Sequence, residues 1–286
     1  MRNYTVHTKL IVLLGSPLGH TLSPAMHNRL FEKLGLDYLY LPVEVSAAYL
    51  STVFAGLRKM NVVGYNVTIP HKLAIIALLD RLDPLAEVIG AVNTICIEDG
   101  CSVGYNTDGE GFIKHLEATL DTTIANKKLF ILGSGGASRG ISMTMASRGA
   151  AKIYLSNRTA SKAEALAEEI NTRIKPCAEV IPQTSGEMEK ALAECDILVN
   201  ATSVGMQPHN DGMPVDADLL RPDLAVADLV YSPLMTRLLA AAQKRGCPVV
   251  TGDGMLVHQG ALGFKMWTGV DPIVEEMFAA MAAFRK

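Results

Sequence analysis

Residues 130–140, Phe-Ile-Leu-Gly-Ser-Gly-Gly-Ala-Ser-Arg-Gly, set Gly133 and Gly135 directly after an apolar run and ahead of a helical stretch. Glycines so placed let the backbone turn tightly and approach a pyrophosphate. The free N–H groups and dipole of the following helix favour its charge. Ser134, Gly136 and Ala137 complete the turn, and Ser138 stands where a third glycine is usual, still small enough for close helix packing. The motif alone is weak; its strand–turn–helix context makes it a dinucleotide site. The end of the next strand selects the dinucleotide. An NAD site puts an acid there for the ribose 2′-hydroxyl. Here the stretch is Ser156-Asn157-Arg158-Thr159-Ala160-Ser161-Lys162, with no carboxylate. A guanidinium, an amine and several hydroxyls suit the 2′-phosphate of NADP. The plainer alternative is a solvated basic turn with a Ser/Thr helix cap.

A second group of polar residues lies in the first half. Thr21-Leu22-Ser23-Pro24 offers two hydroxyls before a helix. Asn66-Val67-Thr68-Ile69-Pro70-His71-Lys72 ends a strand with an amide, a hydroxyl and an amine. Gly90-Ala91-Val92-Asn93-Thr94 and Gly104-Tyr105-Asn106-Thr107-Asp108-Gly109 add polar groups beside further strands. Singly each has a bland account: Ser23 as a helix cap, Asn93 as a turn residue, Lys72 as a solvated lysine. Together they supply the donors and acceptors that a polyol carboxylate needs, since each unpaired buried polar group costs about 1–3 kcal/mol. Oxidising an alcohol also needs a group to take the hydroxyl proton, and a lysine near a carboxylate can relay it.

The elements that must position these residues alternate strand and helix signals. In the first half Lys9–Leu14, Tyr38–Val43 and 62–69 read as strands. Ser23-Pro24 reads as an N-cap with Pro at the first helical position, for a helix ending near Gly35. Ser46 is expected to cap a helix through Met60, and a short helix follows His71. The runs 92–98 and 102–106 read as a strand pair about Asp99-Gly100. From Asp108 onward a connector helix (109–120) leads to strands at 128–132, 152–156, 178–181, 197–200, 225–230 and 249–251. Helices at 161–170 and 187–194 lie between them, with another after the glycine-rich turn. Two helical segments, 254–268 and 272–286, close the chain. Strands separated by helices imply a parallel sheet of βαβ units. The expectation is an α/β chain of two domains, one of them a Rossmann-type dinucleotide-binding domain.

The 286 residues allow two domains of ordinary size. A net charge of −3 leaves no electrostatic footprint for nucleic acid. No apolar run nears the ~18 residues of a membrane span, and the polar start does not read as a signal peptide. The five cysteines form no CxxC pair and no Cys/His cluster. We therefore expect reduced, buried thiols, no metal and a cytoplasmic protein.

The chain resembles the shikimate/quinate dehydrogenase family from about residue 10 to residue 270. The matching segments run in one order: 15–24, 66–72, 90–94, 106–109, 133–137, 157–159, Asn-Ala-Thr-Ser-Val-Gly-Met at 200–206, Asp-Leu-Val-Tyr at 228–231 and Gly-Met-Leu-Val-His-Gln-Gly-Ala at 254–261. The resemblance implies a substrate domain of residues 1–108 and 252–286, facing an NADP domain of residues 109–251 across a cleft. It implies Lys72 and Asp108 as the catalytic pair, acting on the C3 hydroxyl. Thr21 and Ser23 would bind the substrate carboxylate, and Asn66, Thr68, Asn93, Asp108, Tyr231 and Gln259 would surround the ring. The cofactor would meet Gly133, Ser134, Gly135, Gly136, Ala137, Asn157, Arg158, Thr159, Lys162 and Thr202, with Met206, Val230 and Gly252 at the nicotinamide end. Its implied partner is a small molecule, in a monomer or homodimer.

Two positions depart from the family pattern. Thr21 stands where serine is usual, which leaves quinate or an amino-shikimate open as substrate. Lys162 stands where relatives carry arginine. A silent ligand-sensing module is the reading of another class. The presence of both Lys72 and Asp108, and the lack of a basic arm, argue against it.

Overall fold

The structure is a computed structural model that describes residues 4–19 and 21–284. His20, inside one of the matching segments, lies outside the described residues. The chain divides into two compact units. One holds the residues up to Thr107 and those from Val257 onward; the other spans Asp108–Leu256.

The first unit carries a mixed sheet of β1 (Lys9–Gly15), β2 (Tyr38–Glu44), β3 (Val62–Val67), β4 (Arg81–Leu82), β5 (Thr94–Glu98) and β6 (Cys101–Tyr105). Its order is β2-β1-β3-β5-β6-β4. β1 runs parallel to β2 and β3, while β5 and β6 form an antiparallel hairpin. The hairpin turns at Asp99 and Gly100, both at positive φ (50° and 81°), as a twist-matched two-residue turn requires. Helices α1 (Ser23–Lys33), α2 (Leu50–Leu57) and α3 (Pro84–Ile89) belong to this unit. Val12, Leu14, Phe54, Tyr65, Val67, Ile75 and Ile95 form part of its core.

Four local expectations are corrected. Ser23 is not the N-cap of α1: Leu22 already has helical dihedrals and takes that place. The Ser23 side chain, only 7% exposed, points inward instead. The helix expected over 46–60 is a 3-10 turn, Ala47–Tyr49, followed by α2, which stops at Leu57. The helix expected after His71 is a 3-10 segment, Ala74–Leu78. The third strand ends at Val67 rather than at residue 69, because Thr68 O accepts from His71 N–H (2.9 Å) and so closes a turn toward Lys72.

The second unit opens with α4 (Asp108–Leu120) and holds β7 (Lys128–Leu132), α5 (Gly136–Ser147), β8 (Lys152–Ser156), α6 (Ala160–Arg173) and β9 (Ala178–Val180). It continues with α7 (Ser185–Ala193), β10 (Ile197–Asn200), β11 (Ala225–Asp228), α8 (Arg237–Lys244) and β12 (Val249–Val250). All its strand pairs are parallel, in the order β12-β11-β10-β7-β8-β9. This is the doubly wound arrangement, with its switch point between β7 and β10. Helices α9 (Asp253–Thr268) and α10 (Val274–Phe284) complete the chain. No helix among the described residues is long and apolar enough to cross a membrane. The five cysteines are free, and all but the partly exposed Cys101 are buried.

His27 of α1 is fully buried, and neither ring nitrogen has a partner. It lies between Tyr40, stacked at 4.5 Å and 10°, and Phe264 at 6.3 Å. Burial lowers its pKa from 6.5 to about 3. The neutral ring is therefore favoured in the fold, whereas the unfolded chain takes up a proton near pH 6.5. The stability tied to this group is present above pH 6.5 and is lost as pH falls toward 3, at about 1.4 kcal/mol per pH unit. From pH 6.5 to 5 the protein should lose roughly 2 kcal/mol through His27. His27→Leu should flatten that limb in urea titrations, and an unchanged slope would disprove the assignment.

Candidate active site

In the first unit the polar residues at the ends of β3, β5 and β6 share one buried network. Asn66 and Thr94 face each other across β3 and β5. Asn66 Nδ2 donates to Asn93 O at 3.0 Å and to Thr94 Oγ1 at 3.2 Å, and its Oδ1 accepts from the Tyr40 hydroxyl at 2.7 Å. Asn93 Oδ1 accepts from Thr107 N at 2.7 Å, while its Nδ2 donates to Thr107 Oγ1 at 3.0 Å and to Gln259 Oε1 at 3.3 Å. The Thr94 and Thr107 hydroxyls meet at 3.1 Å. Each of these residues is less than 9% exposed. Buried amides and hydroxyls must pair in this way, and the pairing fixes their rotamers.

Beside this network the chain turns from Thr68 to Lys72. Ser16 N–H donates to Ile69 O (3.0 Å), His71 N–H to Thr68 O (2.9 Å) and Val92 N–H to Lys72 O (2.9 Å). The buried His71 ring bonds Val45 O through Nε2 at 2.7 Å. The turn is thus held at both ends, and the Lys72 side chain leaves it half-buried. Thr21 sits just before α1, where its Oγ1 accepts from Ser23 N at 3.4 Å. Asp108 follows Thr107 directly as the first residue of α4 and is half-buried. Tyr231 belongs to the second unit, in the loop after β11, and is 45% exposed.

In the second unit the glycine-rich turn joins β7 to α5. Gly133 has φ +101°, and a Cβ there would lie 2.9 Å from Ala201 O. Only glycine fits both the dihedral and the approach of the chain leaving β10. Gly133 N–H bonds Ser156 O (2.8 Å), and Ser138 Oγ bonds Gly133 O (2.6 Å), so the serine in the third-glycine position ties the helix to the turn. Gly135 and Gly136 have open space where a side chain would project. The N-terminus of α5 lacks a side-chain cap, and the Ser134 hydroxyl is buried without a partner. An uncapped helix start, an open backbone and an unpaired hydroxyl fit a bound phosphate. At the end of β8, Asn157 Nδ2 bonds Thr159 O (2.8 Å). Arg158 and Lys162 are exposed, and neither forms an ion pair among the described residues.

Two residues that carried no role in the sequence brace the segments that hold Thr202 and Val230. Asn200 and Asp228 end adjacent parallel strands in register and are fully buried. Asp228 Oδ1 accepts from Asn200 Nδ2 (2.9 Å) and Val230 N (3.0 Å), and its Oδ2 accepts from Thr236 Oγ1 (2.7 Å). Burial pushes its pKa up, and these donors oppose the rise. Asn200 Oδ1 in turn accepts from Thr202 Oγ1 (2.7 Å). A Cβ on Gly252 would lie 2.5 Å from Val230 O, so this segment closes against the β11 loop only with glycine there. Met206 is 45% exposed and Val230 is buried. A polar residue ending an apolar strand was the available signal for Asn200 and Asp228. Tyr40 offered none, because it reads as one more strand aromatic.

Known families share this arrangement. The model for the shikimate dehydrogenase substrate binding domain matches residues 13–95. That for shikimate / quinate 5-dehydrogenase matches 115–211, and that for the shikimate 5′-dehydrogenase C-terminal domain matches 252–281. The shikimate dehydrogenase (NADP(+)) of Methanopyrus kandleri is 46% identical over 275 residues, 96% of this chain and 95% of that protein. The Listeria monocytogenes shikimate 5-dehydrogenase, solved with shikimate and NAD, superposes with a TM-score of 0.94 at 41% identity, covering 98% of both chains. The quinate dehydrogenase of Corynebacterium glutamicum, solved with NAD, gives 0.89 at 31% identity, covering 96% of this chain and 99% of that one. Likeness of this extent, in sequence and in both units, makes the chain a member of the shikimate dehydrogenase family.

Proposed function

We propose that this protein is an NADP-dependent oxidoreductase that interconverts shikimate and 3-dehydroshikimate at C3. The observation that carries the reading is the buried Asn66–Asn93–Thr107–Gln259 network beside the turn that presents Lys72. Such a cluster of fixed amides and hydroxyls suits a ring with several hydroxyls and excludes an apolar ligand. We assign Thr21 and Ser23 to the carboxylate, and Asn66, Thr68, Asn93, Asp108, Tyr231 and Gln259 to the ring. Lys72 Nζ accepts or relays the proton of the C3 hydroxyl, and Asp108 holds the lysine and the hydroxyl in line. NADP, when bound, would supply the nicotinamide that accepts the hydride. Gly133 to Ala137 hold its pyrophosphate, while Asn157, Arg158, Thr159 and Lys162 hold its 2′-phosphate. Thr202, Met206, Val230 and Gly252 line the reactive end. The first unit is the substrate domain and the second the cofactor domain, in a cytoplasmic monomer or homodimer.

Thr21 leaves one variant of this reading open. Its methyl group adds bulk where serine is usual, at the end that would meet the substrate carboxylate. Quinate differs from shikimate there, by a saturated ring and an added hydroxyl. Initial rates of nicotinamide reduction with shikimate and with quinate, each with NADP and NAD, test the assignment. The highest kcat/KM should fall to shikimate with NADP. Equal or faster quinate oxidation would move the protein to the quinate/shikimate branch, and silence with all four pairs would refute the reading.

A further inference from the structure

We propose that Tyr40 is a positioning residue for the substrate site, whose hydroxyl fixes the Asn66 carboxamide in the orientation that receives a substrate hydroxyl. The inference rests on the assignment of Asn66 to the substrate.

Tyr40 is 1% exposed and is held from three directions by α1. Its ring stacks on His27 at 4.5 Å and 10°. Its backbone is clamped by Asn28, with Asn28 Nδ2 to Tyr40 O at 2.9 Å and Tyr40 N to Asn28 Oδ1 at 2.8 Å. The Ser23 hydroxyl lies against its phenol oxygen and partly offsets the effect of burial. The phenol proton goes to Asn66 Oδ1 at 2.7 Å.

This contact decides what Asn66 can offer. Both protons of its Nδ2 are spent inside the protein, on Asn93 O and Thr94 Oγ1. One lone pair of Oδ1 is taken by Tyr40, so a single acceptor site is left. Asn66 can therefore only accept, and it does so along one direction. Rotating the carboxamide by half a turn would set Oδ1 against Asn93 O and the NH2 group against the Tyr40 hydroxyl, breaking the set of bonds. A core aromatic needed only for packing would be as well served by phenylalanine, which carries no hydroxyl to desolvate. The hydroxyl instead ends on a residue of the polar network, and the helix that holds Tyr40 also carries Ser23. One helix thus aligns both ends of the proposed substrate site through one tyrosine.

Without the hydroxyl, Oδ1 keeps two open lone pairs and the amide loses one of its three fixed bonds. The site is less preorganised for its ligand, and affinity falls before chemistry does. Tyr40→Phe is compared with the wild-type protein by steady-state kinetics and thermal melting. The KM for shikimate should rise about tenfold, with kcat within about threefold, the KM for NADP unmoved and the melting temperature little changed. Asn28→Ala, which loosens the Tyr40 backbone and leaves its hydroxyl in place, should shift the same constant in the same direction. In the double variant Tyr40→Phe/Asn66→Ala, the KM should match that of Asn66→Ala alone, because the hydroxyl acts through Asn66. A shikimate KM within twofold of wild type in both Tyr40→Phe and Asn28→Ala overturns the inference. So does an equal rise in the KM for NADP, or effects that multiply in the double variant. A wild-type protein that does not turn over shikimate overturns the functional reading itself, and this inference with it.

Discussion

Replacing Lys72 with alanine should lower kcat by about a hundredfold to ten-thousandfold, the range for loss of a positioned proton-transfer group, and leave the KM for shikimate within a few-fold. The argument is local. The turn that bears Lys72 is held by Ser16 N to Ile69 O, by His71 to Val45 and by Val92 N to Lys72 O. Every one of these bonds uses backbone atoms or the neighbouring histidine, so all survive removal of the lysine side chain. What disappears is the amine that takes the hydroxyl proton. Such a loss lowers kcat and kcat/KM together. A variant with near-normal turnover would remove Lys72 from the chemistry, and a large rise in KM at constant kcat would make it a binding residue only.

Arg158→Ala should raise the KM for NADP by about 10- to 100-fold, the scale of losing a charge-assisted bidentate contact, with the KM for NAD within about twofold. Arg158 is exposed at the turn after β8 and forms no ion pair among the described residues, so its loss disturbs no packing. Lys162 should keep part of the charge but not the planar fork. The difference between the cofactors should also shrink at high ionic strength, because exposed charges are screened within about 10 Å at 0.1 M salt. Equal changes in the two KM values would take Arg158 out of the phosphate site.

The second unit was the more legible in the sequence. Its strands at Lys128–Leu132, Lys152–Ser156 and Ile197–Asn200 are short, mostly buried and mostly apolar runs with clear boundaries, and the structure ends them at the expected residues. α8 escaped notice, although Thr236 caps it by accepting from Leu239 N (3.3 Å) and three alanines follow. The first unit was harder. β4 is two residues long, and α3 has only six, even though Asp83 caps it and Pro84 opens it. A local pattern cannot show that Ser23 begins its helix facing inward, because its neighbour Tyr40 arrives from another strand.

The same limit applies to the site. The sequence names Asn66, Asn93 and Gln259 one by one, but their shared network spans separations of 27 and 166 residues. Tyr40 and Asp228 act through partners equally distant in the chain, so spacing carries no trace of them.

The central claim is that the hydrogen on C3 of shikimate passes as hydride to the nicotinamide. Turnover of shikimate deuterated at C3 with NADP, followed by mass spectrometry of the reduced cofactor, tests it most directly. The account predicts NADPH heavier by the deuterium and 3-dehydroshikimate free of it. Unlabelled NADPH, or oxidation at another ring carbon, would contradict it.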